Sequence, residues 1–291
     1  MSDQAQVAVS YDVDNEFFRL WLDKRMNYTC AVFDGTDDLD AAQEAKLATL
    51  YRYGHVRPDA RVLDIGCGWG ANLEFLAVAR GVREVHGITL SRAQHAEIVR
   101  RALPGVTASC VDYRDYAAPV AFDTVMSICM IEHVCTPAQA RAGEARVRYR
   151  DYFRRAWEWS APGAYFALQT ILRNRAPRIP ADIREVGWVT YTIFPGGITP
   201  RLEDIVVAVN PYWEIVELRT RREDYRRTCE HWRSRLRAHE DEIRTRWGAR
   251  LFADYDRYLT ACVRAFDMHY QSLAQWSLRR IDEPEEHRAH R

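Results

Sequence analysis

The chain has 291 residues, enough for one large domain with an appended lid and for a substantial buried core. Its 41 basic residues balance 41 acidic ones, so no net field draws it to nucleic acid or to an anionic membrane. Seven cysteines (Cys30, Cys67, Cys110, Cys129, Cys135, Cys229, Cys262) include no Cys-x-x-Cys pair, which excludes the common zinc motifs and predicts a reducing compartment. No apolar run approaches the ~20 residues of a membrane span. The opening MSDQAQVAVS lacks the charged-then-apolar order of a secretory signal, so a cytoplasmic protein is expected. Lysine is almost absent, at Lys24 and Lys46 only, and the arginine excess reads as coding bias rather than as a binding signal.

In chain order, Asp14 can cap a short helix carrying Phe17, Phe18, Trp21 and Leu22 on one face, and a second helical pattern runs over 38–51. From Arg61 the pattern becomes short β-rich runs alternating with helices, the rhythm of a parallel sheet. Strands are predicted over 61–65, 84–88, 106–111, 124–128 and 165–171, with helices over 71–80, 91–102 and 146–159 between them. After Pro200 come a helix over 202–209, a strand over 215–219 and two long helices over 225–247 and 249–270. The alternation Trp276-Ser277-Leu278-Arg279 predicts a final edge strand, and the polar stretch from Asp282 is expected to fray, leaving a core that ends near Ile281. The fold class is therefore α/β, a doubly wound, mostly parallel seven-stranded sheet of Rossmann-like methyltransferase type with N-terminal helices and an inserted helical lid. The expected domains are an N-terminal helical cap over 1–58, an α/β core over 59–222, a lid over 223–270, and a last strand with polar tail over 271–291.

The run Val62-Leu63-Asp64-Ile65-Gly66-Cys67-Gly68-Trp69-Gly70 is a buried strand that breaks into glycines and opens a helix. Glycine permits close backbone approach, and α/β sheets bind ligands at the carboxyl ends of their strands. A phosphate loop would end Gly-Lys-Ser/Thr, and a dinucleotide loop would read Gly-x-Gly-x-x-Gly with an acid some 20 residues later. Neither is present. Asp64 ahead of the glycines suits a ligand with an ammonium group, and Asp112 after the third strand is placed to accept from an adenine amino group. A plain tight turn at the glycines and an ordinary turn at Asp112 are the alternatives.

Several motifs in order resemble the cyclopropane fatty acid synthase and mycolic acid methyltransferase family, class I S-adenosylmethionine-dependent enzymes. They are Tyr11-Asp12-Val13-Asp14-Asn15-Glu16-Phe17-Phe18, Asn27-Tyr28-Thr29-Cys30-Ala31-Val32-Phe33 and the LDIGCGWG loop ending at Gly70. Gly87-Ile88-Thr89-Leu90-Ser91-Arg92-Ala93-Gln94, Asp112-Tyr113-Arg114, Ile131-Glu132-His133 and Ile193-Phe194-Pro195-Gly196-Gly197 follow. The resemblance implies that S-adenosylmethionine is the cofactor. Tyr28 and Thr29 would close over it, Asp64, Gly66 and Gly68 would meet its methionine part, Thr89, Leu90 and Gln94 its ribose side, and Asp112 with Tyr113 its adenine.

Enzymes of this family alkylate a carbon-carbon double bond, and a proton lost from the new methyl closes a cyclopropane ring. The base is a bicarbonate held by a Cys backbone, a Glu, a His, an Ile backbone and a Tyr. Carried over by motif, these are Cys30, Glu132, Gln169, Ile171 and Tyr225, with His133 beside Glu132. Gln169 departs from the pattern, because glutamine can donate to an anion yet carries no charge and shuttles no proton. For Tyr225 the alternative is an aromatic packed at a helix start. Ser10 replaces a His, the stretch Cys135–Val147 reads as inserted, and the segment between Thr170 and Phe194 is shorter than a lipid tunnel wants and carries Arg173, Arg175, Arg178 and Arg184. Those arginines imply a small or natural-product-type substrate rather than a membrane acyl chain, or else are simply solvated. A small-molecule N-methyltransferase, with Glu132 or His133 accepting the amine's proton, and a non-catalytic cofactor-binding protein are the competing readings. No metal site is implied.

Overall fold

A computed structural model describes residues 14–284 of the chain. The Tyr11-Asp12-Val13 part of the first motif, Ser10 and most of the polar tail therefore lie outside the described residues. Seven strands form one sheet: β1 (Arg61–Ile65), β2 (Glu84–Thr89), β3 (Val106–Cys110), β4 (Phe122–Ile128), β5 (Ser160–Arg173), β6 (Trp213–Thr220) and β7 (Gln271–Arg280). Their order is β3-β2-β1-β4-β5-β7-β6. β1 pairs in parallel with β2 and β4, β2 with β3, and β4 with β5, whereas β6 and β7 are antiparallel. The order reverses at β1, whose neighbours are β2 and β4, and at such a switch point open α/β sheets bind ligands outside the strands' carboxyl ends. The glycine run begins there.

β1 is buried along nearly its whole length, as expected of a central parallel strand covered on both faces. Large aromatic and aliphatic side chains fill the core, among them Tyr152, Phe153, Phe166, Trp213 and Trp276 on one side and Leu50, Val62, Leu73, Leu76 and Val85 in a second cluster.

The final strand is not an edge. β7 lies inside the sheet between β5 and β6, almost wholly buried, and β6 takes the edge, with Ile215, Val216 and Leu218 partly exposed. The run Leu273-Ala274-Gln275-Trp276-Ser277-Leu278 satisfies both faces only in an interior place. The long helix expected over 225–247 is two helices, Arg222–Ala238 and Glu240–Trp247, broken at His239 (φ −108, ψ 19). Glu240, Asp241 and Glu242 in succession favour a new helix N-terminus there. The helix expected over 71–80 is α-helical over Ala71–Glu74 and then widens into a π-turn, closed by the Arg80 amide donating to the Phe75 carbonyl at 3.1 Å. The stretch 135–147 holds a short helix, Pro137–Arg141, entered through a capping box of Thr136 and Gln139.

The chain divides into two compact units. The first comprises the described part of Met1–Lys46, Arg173–Gly196 and Arg221–Leu273, and the second comprises Leu47–Leu172, Gly197–Thr220 and the described part of Ala274–Arg291. In the first unit the helix Ala249–Asp267 turns Phe252, Tyr255, Leu259 and Phe266 inward. Phe17 meets Tyr255 edge to face at 4.7 Å, and Tyr28 lies 5.3 Å from both Trp21 and Trp232. Among the described residues no helix is long and apolar enough to cross a membrane.

Candidate active site

In the second unit Asp64 is the penultimate residue of β1 and is buried, pairing in register with Gly87 of β2 and Met126 of β4. Asn72, on the helix that follows the loop, donates Nδ2–H to Asp64 Oδ2 at 3.0 Å. The helix that the glycines open thus holds the carboxylate in place. Gly66 and Cys67 both donate their amides to the Ile88 carbonyl, at 2.9 and 3.0 Å, which folds the loop back over β2. Gly66 has φ +80, and a Cβ there would lie 2.6 Å from Met130 Cγ, so this position admits only glycine. Gly68 has φ +56, and its missing Cβ would point into open space.

The residues expected on the ribose side form a buried cluster at the end of β2. Thr89 donates its hydroxyl to Gln94 Oε1 at 2.8 Å, which turns the Gln94 side chain by its oxygen and leaves its amide nitrogen as the donor end. Ser91 caps the helix Arg92–Arg101 by accepting from the Gln94 amide at 3.1 Å. The carbonyl of Leu90 lies 3.8 Å from Cys110 Sγ. Asp112 accepts from the Arg114 backbone amide and from its Nε, both at 2.9 Å, and pairs with the rest of its guanidinium. Burial alone would raise the Asp112 carboxyl, but the Arg114 bonds and charge outweigh it and hold it below its usual value. A carboxylate with four lone pairs keeps acceptor capacity beyond Arg114. Tyr113 is buried 5.3 Å from Tyr152, and burial pushes its phenol up to about 12.

At the end of β4 the backbone bends through Cys129, a non-glycine residue at φ +55, whose amide donates to the Gln169 carbonyl at 2.8 Å. A 3₁₀ turn over Ile131–His133 follows, with Ile198 donating its amide to the Glu132 carbonyl at 2.8 Å. Glu132 is 7% exposed. Its Oε1 accepts the Ile171 amide of β5 at 2.6 Å, and its Oε2 is sealed from solvent with no partner in hydrogen-bonding geometry among the described residues. Burial pushes the carboxyl up to about 7 against the pull of the Ile171 bond. Burial likewise lowers His133 to about 4, so its imidazole is neutral near pH 7. Gln169, two residues before Ile171 on β5, is fully buried, accepts from Gln275 Nε2 of β7 at 2.8 Å and points Nε2 toward Cys129 Sγ at 3.6 Å.

The remaining predicted residues belong to the first unit. Cys30 is buried with its thiol 3.1 Å from the Ala31 carbonyl, and Ala31 donates its amide to Thr228 Oγ1 at 3.0 Å. Thr29 accepts at its carbonyl from Gln43 Nε2 at 2.8 Å. Tyr225, in the first turn of Arg222–Ala238, stacks on Phe266 at 4.5 Å, so the packing role is present. The four arginines between Thr170 and Phe194 are all exposed, and Arg175 donates to the Met268 carbonyl at 2.7 and 3.2 Å. Their solvated reading is the one the structure favours. Asn72 and Gln275 went unnoticed in the sequence, and Arg114 was seen only as part of a motif. A glutamine inside the apolar run of β7 was the available signal for Gln275.

Comparison with known proteins identifies the family. A family model described as mycolic acid cyclopropane synthetase matches residues 1–276. A cyclopropane-fatty-acyl-phospholipid synthase of Escherichia coli (strain K12) is 31% identical over 258 residues, 88% of this chain, which spans 63% of that relative's length. The methoxy mycolic acid synthase MmaA3 of Mycobacterium tuberculosis (strain H37Rv) is 30% identical over 294 residues, 95% of each chain. The solved cyclopropane synthase MmaA2 from Mycobacterium tuberculosis superposes with a TM-score of 0.87 at 26% identity, covering 95% of this chain and 98% of that one.

Proposed function

Because the chain belongs to the mycolic acid cyclopropane synthetase family and is an S-adenosylmethionine-dependent enzyme of that kind, we propose that it alkylates an alkene or a similarly electron-rich carbon, forming a cyclopropane or a C-methyl product. The observation that carries this reading is Glu132, a buried carboxyl with one oxygen on a backbone amide and only the Thr170 hydroxyl and Cys129 thiol as side-chain donors near it, beside the cofactor loop's strand. A reaction that generates a carbocation in the substrate needs a group nearby to take up or hold a proton, and Glu132 is built for it.

The residues present suit the cofactor. The open space off Gly68 admits close backbone approach, Asp64 is anchored to meet an ammonium group, the Gln94 amide offers a donor and Asp112 an acceptor. When bound, S-adenosylmethionine supplies an electrophilic methyl group. Tyr28 and Thr29 are assigned to cover it. For the base, Glu132 Oε2 would meet the single O–H of a bicarbonate, or, if protonated, donate to it, with the Gln169 amide as a second contact. The Ile171 amide is already engaged by Glu132, so an anion would share the carboxyl rather than take that amide.

The substrate is proposed to be small or natural-product-type, on the shortness of the segment between Thr170 and Phe194 compared with what a lipid tunnel wants. Labelled cofactor offered with unsaturated phospholipid vesicles and, separately, with soluble alkenes and amines tests the whole reading. Label should enter carbon of a soluble alkene. Efficient labelling of vesicle lipid would overturn the substrate assignment, and label on nitrogen would move the chemistry to N-methylation.

A further inference from the structure

Of 41 basic residues only two are lysines, Lys24 and Lys46, and they differ sharply in setting. Lys24 is exposed. Lys46, on the helix Leu39–Tyr53, is 1% exposed and ranks among the largest fully buried side chains. A buried ammonium is costly unless its protons are used, and here they are. Nζ donates to Asn27 Oδ1 at 2.8 Å and to Thr29 Oγ1 at 3.0 Å. Asn27 is clamped in turn, with its amide on Asp23 Oδ1 at 2.7 Å and its Nδ2 on Asp23 Oδ2 at 2.8 Å. One helical turn before Lys46, Gln43 holds the Thr29 carbonyl. Side chains of a single helix therefore fix both ends of the three-residue segment Asn27-Tyr28-Thr29.

The choice of lysine is itself informative. At this buried position a single nitrogen reaches two oxygens of one tight segment, Asn27 Oδ1 and Thr29 Oγ1. A planar guanidinium spreads its donors over a fork and demands more room. We infer that Lys46 is a positioning residue for cofactor binding: through Asn27 and Thr29 it holds the segment carrying Tyr28 in one pre-ordered conformation before S-adenosylmethionine arrives. This rests on the reading that Tyr28 and Thr29 contact the cofactor. Pre-ordering removes a conformational cost from binding and leaves the chemical step alone, so its loss falls on affinity rather than turnover.

The test is calorimetric cofactor affinity, kcat at saturating cofactor and thermal melting for Lys46→Met, Lys46→Gln, Lys46→Arg and Thr29→Val. Lys46→Met should weaken cofactor binding at least about tenfold while kcat stays within about threefold, and Lys46→Arg should not restore affinity. Lys46→Gln, with one neutral and shorter-reaching donor, should fall between Lys46→Met and the parent, and it secures the measurement if Lys46→Met does not fold. Thr29→Val separates the two ideas. If it binds cofactor like the parent, the assignment of the segment is wrong and the role of Lys46 falls with it. If Thr29→Val binds weakly while the Lys46 variants bind like the parent, only the role of Lys46 is overturned. Parallel losses of melting temperature, affinity and kcat, or full rescue by Lys46→Arg, would overturn it as well.

Discussion

Glu132→Gln should make this protein more stable in alkaline solution and nearly inactive at once. The carboxyl sits at about 7 rather than at its ordinary 4.5 because burial penalises the charged form. Below pH 4.5 it is neutral in the folded and unfolded chains alike. Between 4.5 and 7 the unfolded chain ionises while the folded one does not, so the unfolded state binds fewer protons and stability falls as pH rises. Above 7 the loss levels off. At about 1.4 kcal/mol per pH unit, the shift amounts to about 3 kcal/mol. Glutamine cannot ionise, and its carbonyl oxygen can still accept the Ile171 amide. Its amide nitrogen would face the site of Oε2, which has no partner in hydrogen-bonding geometry, adding a cost of about 1 kcal/mol that does not vary with pH.

Relative to the parent, Glu132→Gln should therefore gain stability from pH 4.5 to about 7 and then level off, by about 3 kcal/mol in total. For a chain of this length that corresponds to a melting difference changing by about 5 °C. Differential scanning calorimetry from pH 4.5 to 8 reads this directly. Methyl transfer should fall at least about a hundredfold with cofactor affinity within a few-fold. The parent's activity should inflect near pH 7, and since His133 is already neutral there, His133→Asn should leave that inflection in place. A melting difference that stays flat from pH 4.5 to 8 would refute the buried, raised carboxyl, and an active Glu132→Gln would refute its role in the chemistry.

Gly68→Ala should lower cofactor affinity more than tenfold by calorimetry with little loss of melting temperature, because its methyl group enters open space at a backbone cost of only about 1 kcal/mol. Gly66→Val should lose affinity and stability together through its collision with Met130. If bicarbonate takes part, activity should rise with added bicarbonate, and Gln169→His should relieve that dependence. Gln275→Leu, which releases the Gln169 carbonyl, should sharpen it, as initial rates against bicarbonate concentration would reveal.

The parts of the fold that the sequence disclosed are those whose cause is local. β1, β4 and the inner part of β5 read as strands because parallel strands covered on both faces are largely apolar, and the Asp64–Gly70 loop announces itself through glycines that only a strand end at a switch point requires. What stayed hidden depends on partners far along the chain. The place of β7 is set by its pairing with β6, some 60 residues earlier, and an alternating run reads equally well as an edge or as a buried strand until that pairing is known. The same holds within the site. Glu132 stands out in the sequence, but its partner is the backbone amide of Ile171, and a backbone donor leaves no mark on residue identity. Gln169 can be seen to depart from the family's histidine, yet the reason it is tolerated in a fully buried place is Gln275, which arrives from β7 to satisfy its carbonyl. A histidine at that position would titrate and could carry charge. The paired glutamines cannot, so on the proposed reading a proton released near β4 and β5 would be met by Glu132, or by an anion that Glu132 holds.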